Sequence, residues 1–317
     1  MFLLHELVQG FQCGDKRALA RCVSIVESGG VRAENLLAAV AKEGKRARLI
    51  GITGPPGAGK STLTARIAEV FLDRGESVAL LLIDPSSPFT GGAILGDRIR
   101  MHAITGRRGL YMRSLGSRGS LGGLSRAVPP VVQLLECFGF DTVIIETVGT
   151  GQAETDVVST VDTVVVVSVP GLGDDVQAMK AGIMEIADIF VVNKADREGS
   201  ERTVRQAEEA LKLQPKVVPV LSTVAISGIG LPDLVVALDS HYAEMLDSNE
   251  LATRRKARLC TTILAHAGSI LSDALTDWAE ERMARAWPEI ESGSVDIFTF
   301  ARKLATEFQT RGGENDC

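Results

Sequence analysis

The sequence predicts an α/β protein: a doubly wound, mostly parallel sheet around a phosphate-binding loop, with an N-terminal helical cap and a C-terminal helical extension. Three observations carry this. First, Gly54-Pro55-Pro56-Gly57-Ala58-Gly59-Lys60-Ser61 matches G-x-x-x-x-G-K-[ST] and follows the apolar run Leu49-Ile50-Gly51-Ile52-Thr53. Second, between residues 47 and about 222, runs of Val, Ile and Leu alternate with helical patterns. Near-continuous apolar runs mark strands covered on both faces of a parallel sheet. Third, several of these runs end in Asp, Glu or Asn followed by turn residues. That places polar chemistry at the carboxyl ends of strands, where open α/β sheets bind ligands.

In order, residues 1–46 read as helices. Leu3, Leu4, Leu7 and Val8 form one stripe. Asp15 can cap a helix running to Ser28, with Leu19, Cys22, Val23 and Val26 on one face; Gly29-Gly30 ends it, and 33–42 forms another helix. Strands are predicted at 49–53, 77–83, 110–113, 142–146, 163–169, 189–193 and 217–221, and a helix at 61–72 follows the loop. The core therefore covers 47–229. From 230 to 317 only helical patterns remain, at 231–246, 251–285 and 295–309, with Trp287-Pro288 ending the second. Leu259, Ile263, Leu264, Ile270, Leu271 and Leu275 give that stretch an apolar face, which either covers the core or holds a second subunit.

Composition narrows the function classes. A net charge of −6 argues against nucleic acid as a main partner, since phosphate backbones select basic surfaces. No apolar run approaches the ~20 residues of a membrane span. The first residues lack a signal or transit pattern, so the cytoplasm is the expected compartment. Five scattered cysteines, no C-x-x-C and four histidines disfavour a disulfide framework or a Cys/His metal site.

The loop itself asks for a nucleoside triphosphate. Gly54, Pro55, Pro56, Gly57, Ala58, Gly59, Lys60, Ser61 and Thr62 are the residues expected around its phosphates. Gly57 and Gly59 permit positive φ and close backbone approach. The loop N–H groups and the start of the following helix favour an anion. Lys60 adds charge near the β- and γ-phosphates, and the Ser61 hydroxyl is a ligand for Mg²⁺. Three strand ends can converge on it. Asp84 closes one and is followed by a glycine-rich, basic stretch containing Asp97. Glu146 closes another, with Gly149 three residues later, where its N–H could meet a γ-phosphate; Asp84 and Glu146 are thus candidate metal ligands, and the stretch around Asp97 could become ordered around a γ-phosphate. The third end, Asn193-Lys194-Ala195-Asp196, decides the base. The Asp196 carboxylate can accept two N–H bonds from guanine, whereas adenine would leave it unpaired, at a cost of about 1–3 kcal/mol. Lys194 can lie over the base and Asn193 can brace the neighbouring loops. Ser222, Thr223 and Val224 lie where a backbone N–H could reach the guanine O6. These features make the core that of a P-loop GTPase.

The segments GPPGAGKST, DPSSPFTGGAILGDRIRM, RGSLGGLS, ETVGTGQAE, PGLGDDVQAMKAGIMEIAD and NKAD, in this order and spacing, resemble the MeaB/ArgK family, the methylmalonyl-CoA mutase-associated P-loop GTPases. The resemblance covers nearly the whole chain; the last helices match in character only. It implies a homodimer that binds GDP and GTP and forms a complex with a separate adenosylcobalamin-dependent acyl-CoA mutase, gating cofactor loading and protecting the mutase. It implies that Asp84, Asp97 and Glu146 serve Mg²⁺, that 169–180 is an additional switch read by the mutase, and that the C-terminal helices are a dimerisation arm.

The expected chemistry is GTP hydrolysis, slow until a partner positions Lys180, Gln177 or Asp174. The position after Gly149 is Thr150 rather than a glutamine, and Gln152 is a distant substitute. Three alternatives stand beside it. A nickel-type metallochaperone GTPase would want a His/Cys-rich stretch. A kinase linked to amino-acid transport would prefer ATP. A nucleotide-responsive binding module would not hydrolyse at all.

Overall fold

The structure is a computed structural model that describes residues 4–41, 46–84, 104–116, 127–147, 159–171 and 183–312, the side chains of Asp84 and Arg311 excepted. The chain divides into two compact units, Met1–Arg255 and Lys256–Cys317.

Among the described residues the first unit has seven strands: β1 (Arg48–Thr53), β2 (Val78–Asp84), β3 (Leu110–Gly116), β4 (Thr142–Thr147), β5 (Thr163–Ser168), β6 (Ile189–Asn193) and β7 (Val220–Thr223). They lie in the order β3-β2-β4-β1-β5-β6-β7, and every strand pair is parallel. Alternate residues of each strand enter two different cores. Leu49, Leu81, Val143, Ile145, Val164, Val166, Phe190 and Val192 face one. Ile50, Ile52, Leu80, Ile144, Val165, Val167 and Val191 face the other. That explains why both registers of these strands are apolar.

The first core is covered by α1 (Leu4–Gln12), α2 (Lys16–Ser28), α3 (Val31–Val40), α5 (Val128–Phe138) and α6 (Ser200–Leu211). The second is covered by α4 (Lys60–Asp73) and α7 (Leu231–Asp247). The sheet is therefore wound on both faces. Asp15 caps α2 by accepting from the Arg17 N–H at 2.8 Å, and Leu19, Cys22 and Val23 are fully buried. Phe11 meets Phe138 edge-on at 5.2 Å, so α1 and α5 share one layer.

Two predicted boundaries are corrected. The last strand begins at Val220, not at residue 217. Val217 is 98% exposed, and Pro219 has no N–H to give a ladder; its carbonyl accepts from the Phe190 N–H at 2.9 Å. The run was apolar in composition but not in position. The long helix α8 (Glu250–Glu291) also continues through Pro288, where the sequence predicted its end. A proline gives up its own N–H bond and crowds the carbonyl four residues back, but the following turn is kept: the Pro288 carbonyl accepts from the Ser292 N–H at 3.1 Å. The helix stops at Gly293, whose φ of 75° provides the left-handed exit.

At the amino ends of β5 and β6, the start of α8 is held by buried charge. Arg255 donates to Asp162 at 2.7 and 3.2 Å and to the Ala47 carbonyl at 2.8 Å. Arg254 donates to both oxygens of Asp188 at 3.0 and 3.1 Å and to the Asp162 carbonyl at 2.9 Å. Lys216 reaches Asp188 at 2.8 Å, and the Val164 N–H donates to it at 2.9 Å. Burial alone would push the Asp188 carboxyl up. The His241 ring 3.6 Å away and the hydrogen bonds from Arg254 and Lys216 outweigh it and hold the group well below the usual carboxylate range.

The second unit contains the rest of α8 and α9 (Ile297–Gly312). Trp278 packs edge-on against Phe308 at 5.5 Å, with Arg282 over the Trp278 ring at 3.8 Å. Ile263, Leu264, Ile270, Leu271, Trp287 and Phe298 are exposed. No described helix is long and apolar enough to cross a membrane.

Candidate nucleotide site

The loop between β1 and α4 turns on two glycines, Gly54 required by a close backbone approach and Gly59 favoured by its left-handed φ. Gly54 has φ 135°, and a Cβ on it would lie 2.1 Å from the Val167 carbonyl oxygen of β5. Gly59 has φ 86°, and a Cβ there would lie 2.4 Å from Asn193 Nδ2. The N-terminus of α4 has no side-chain cap, which suits its first amides to an anion. Lys60, the first helical residue, is buried, and its Nζ donates to the Gly54 carbonyl at 2.7 Å and the Pro55 carbonyl at 3.0 Å. The ammonium thus lies across its own loop.

Ser61 faces β4. Parallel pairing sets Ile52 beside Glu146, so the carboxyl ends of β1 and β4 are level. The Ser61 hydroxyl donates to Glu146 Oε1 at 2.6 Å; Glu146 is 6% exposed, and one strand position on, Thr147 donates to Thr53 at 2.9 Å. A hydroxyl and a carboxylate are hard oxygen donors of the kind Mg²⁺ takes, so this pair fits the ion. Among the described residues no group of three or more His, Cys, Asp or Glu is placed to hold a metal. Thr62 lies on the next step of α4, half-buried.

Beyond β6, Asn193 is buried and bonded on both sides. Its Nδ2 donates to the Ala58 carbonyl at 2.8 Å, and its Oδ1 accepts from Thr223 Oγ1 and the Ala225 N–H, both at 3.1 Å. Lys194 takes a left-handed φ of 57° and donates to the Gly57 carbonyl at 2.7 Å. The Ala195 N–H donates to the Thr223 carbonyl at 3.0 Å. Three segments distant in sequence are thereby knitted together. Asp196 is exposed, and its carboxylate takes no hydrogen bond or ion pair among the described residues.

The stretch expected to offer an amide to a base differs in detail. Ser222 and Thr223 lie within β7, not after it. The Val224 N–H donates to the Ile229 carbonyl at 2.9 Å, and that of Ala225 is held by Asn193. Asp97, Gly149, Gln177 and Lys180, with Thr150, Gln152 and Asp174 and the side chain of Asp84, lie outside the described residues. Sequence reasoning missed Arg66, whose guanidinium donates to the Ala225 and Ile226 carbonyls. A charged residue on a helix face gives no sign of a partner 159 residues away.

A doubly wound parallel sheet with this loop, and with Asn193 bonded to it, defines the chain as a P-loop nucleotide-binding protein. It belongs to the MeaB family: the model described as methylmalonyl Co-A mutase-associated GTPase MeaB matches residues 19–280. A Pyrococcus horikoshii protein, itself named only provisionally as a GTPase, is 44% identical over 263 residues, 81% of this chain and 83% of its own. The mouse mitochondrial methylmalonic aciduria type A homolog is 32% identical over 280 residues, 80% and 67% of the two chains. A crystal structure of a LAO/AO transport system kinase shares the fold at a TM-score of 0.70 and 24% identity, covering 96% of this chain and 97% of that one.

Proposed function

We propose that this protein hydrolyses GTP to GDP and phosphate, and that the cycle gates adenosylcobalamin loading and protection of a separate acyl-CoA mutase of the methylmalonyl-CoA type. The observation that carries the guanine reading is that Asn193 and Lys194 bond to the phosphate loop, which anchors the segment bearing the exposed Asp196, whose carboxylate has no partner among the described residues. Membership of the MeaB family and the likeness to the mouse homolog support the mutase as client.

In this reading Lys60 and the amides at the start of α4 bind the β- and γ-phosphates. Ser61 and Glu146, with Asp84 and Asp97, would hold Mg²⁺, which when bound neutralises charge on the β- and γ-oxygens. Water attacks the γ-phosphorus in line, and the bond to the β–γ bridging oxygen breaks. Gly149 senses the γ-phosphate, and Gln177 and Lys180 answer to the mutase. The exposed Ile263, Leu264, Ile270 and Leu271 support a homodimer formed through the C-terminal helices of 230–317.

Asp196→Asn tests the base assignment. An amide N–H₂ repels the guanine 2-amino group and suits the 2-carbonyl of xanthine. GTP binding is expected to weaken by at least about tenfold and XTP binding to improve. Unchanged GTP affinity would refute the assignment.

A further inference from the structure

Arg66 stands six residues after Lys60 on α4, roughly 9 Å further along the helix axis. Its guanidinium leaves the helix for the turn after β7. Nε donates to the Ala225 carbonyl at 3.3 Å and Nη2 to the Ile226 carbonyl at 2.8 Å. Nη1 donates to Glu69 at 2.9 Å, which fixes the plane of the fork. Ala225 is also the residue whose N–H donates to Asn193. The segment is therefore gripped from two directions, by the strand that ends in Asn193 and by the helix that begins at the phosphate loop.

The turn closes on itself through Val224 and Ile229, and Gly230 is forced by φ 74° and by the Ser222 carbonyl, which a Cβ would approach to 2.0 Å. Those bonds set its shape but not its distance from α4. Ala225 is buried, but Ile226 and Ile229 are 78% and 65% exposed, so packing does little for the tip. The two hydrogen bonds from Arg66 span that gap.

We propose that Arg66 is a positioning residue for the nucleobase: it locks the turn at 224–229 to the helix carrying the phosphate-binding residues, and so sets the spacing between the phosphate end and the base end of the site. This rests on the guanine-nucleotide reading above. The alternative is a surface arginine paired with Glu69 at i,i+3, which supports the helix alone and does nothing for the ligand.

The test is calorimetric titration of the full chain, with Mg²⁺ present, by GDP, ADP and tripolyphosphate. Arg66→Ala is expected to weaken GDP roughly tenfold, the usual cost of losing hydrogen bonds from a charged donor. Tripolyphosphate, which has no base, should stay within about twofold. Arg66→Lys should recover part of the loss, and Glu69→Gln should cause a smaller one on GDP alone. Equal losses for GDP and tripolyphosphate, or no loss for either, would overturn the inference. A wild type that binds ADP as tightly as GDP would instead sink the guanine reading. The role of Arg66 would then stand if Arg66→Ala weakened both purine nucleotides relative to tripolyphosphate, and would fall if it did not.

Discussion

The Ser61 hydroxyl and the Glu146 carboxylate meet at 2.6 Å, joining the first turn of α4 to the carboxyl end of β4. Both are buried. Supporting ligands of this type are worth ~10–100-fold in metal affinity or activity. Glu146→Gln keeps the shape and removes the charge. It is expected to weaken nucleotide binding by about that factor with Mg²⁺ and to leave binding in EDTA unchanged. Equal weakening in both conditions would make Glu146 a packing residue.

The Asp188 cluster predicts an acid-sensitive fold. Its carboxyl is held below the ordinary range, so its contribution to stability is present above the unfolded-state value of about 4 and is lost as pH falls towards the folded-state value. Wild-type stability should therefore decline below about pH 4. Asp188→Asn leaves Arg254 and Lys216 facing an amide at the start of α8. Breaking a buried pair costs about 3 kcal/mol, and the variant should lose most of that component of the acid slope. Denaturant unfolding from pH 3 to pH 7 measures both, and a parallel slope in the two proteins would contradict the assignment.

The strands and the phosphate loop were legible because their signals are local. Parallel strands bury both faces, so a run such as Thr163-Val164-Val165-Val166-Val167 announces itself, and Gly54 to Ser61 is a short spacing rule. The positions of Lys60, Ser61 and Glu146 followed from where those strands end. What stayed hidden depends on pairing across the fold. Arg254 and Arg255 look like solvated charges on a polar helix until Asp188 and Asp162 appear beneath them. Arg66 likewise gains meaning from carbonyls on another segment. Val217 misled because composition does not tell an exposed valine from a ladder position.

In the proposed function, guanine-nucleotide hydrolysis answers to a protein partner. The most direct measurement is single-turnover hydrolysis of GTP and ATP by the full chain, alone and with an adenosylcobalamin-dependent acyl-CoA mutase from the same cell. The protein alone is expected to turn over GTP on the order of 10⁻³ per second, with a marked acceleration by the mutase, no comparable use of ATP, and loss of all turnover in Lys60→Ala. Equal turnover of ATP, or a GTP rate already at several per second (roughly what a partner-stimulated GTPase reaches) and indifferent to the mutase, would contradict it.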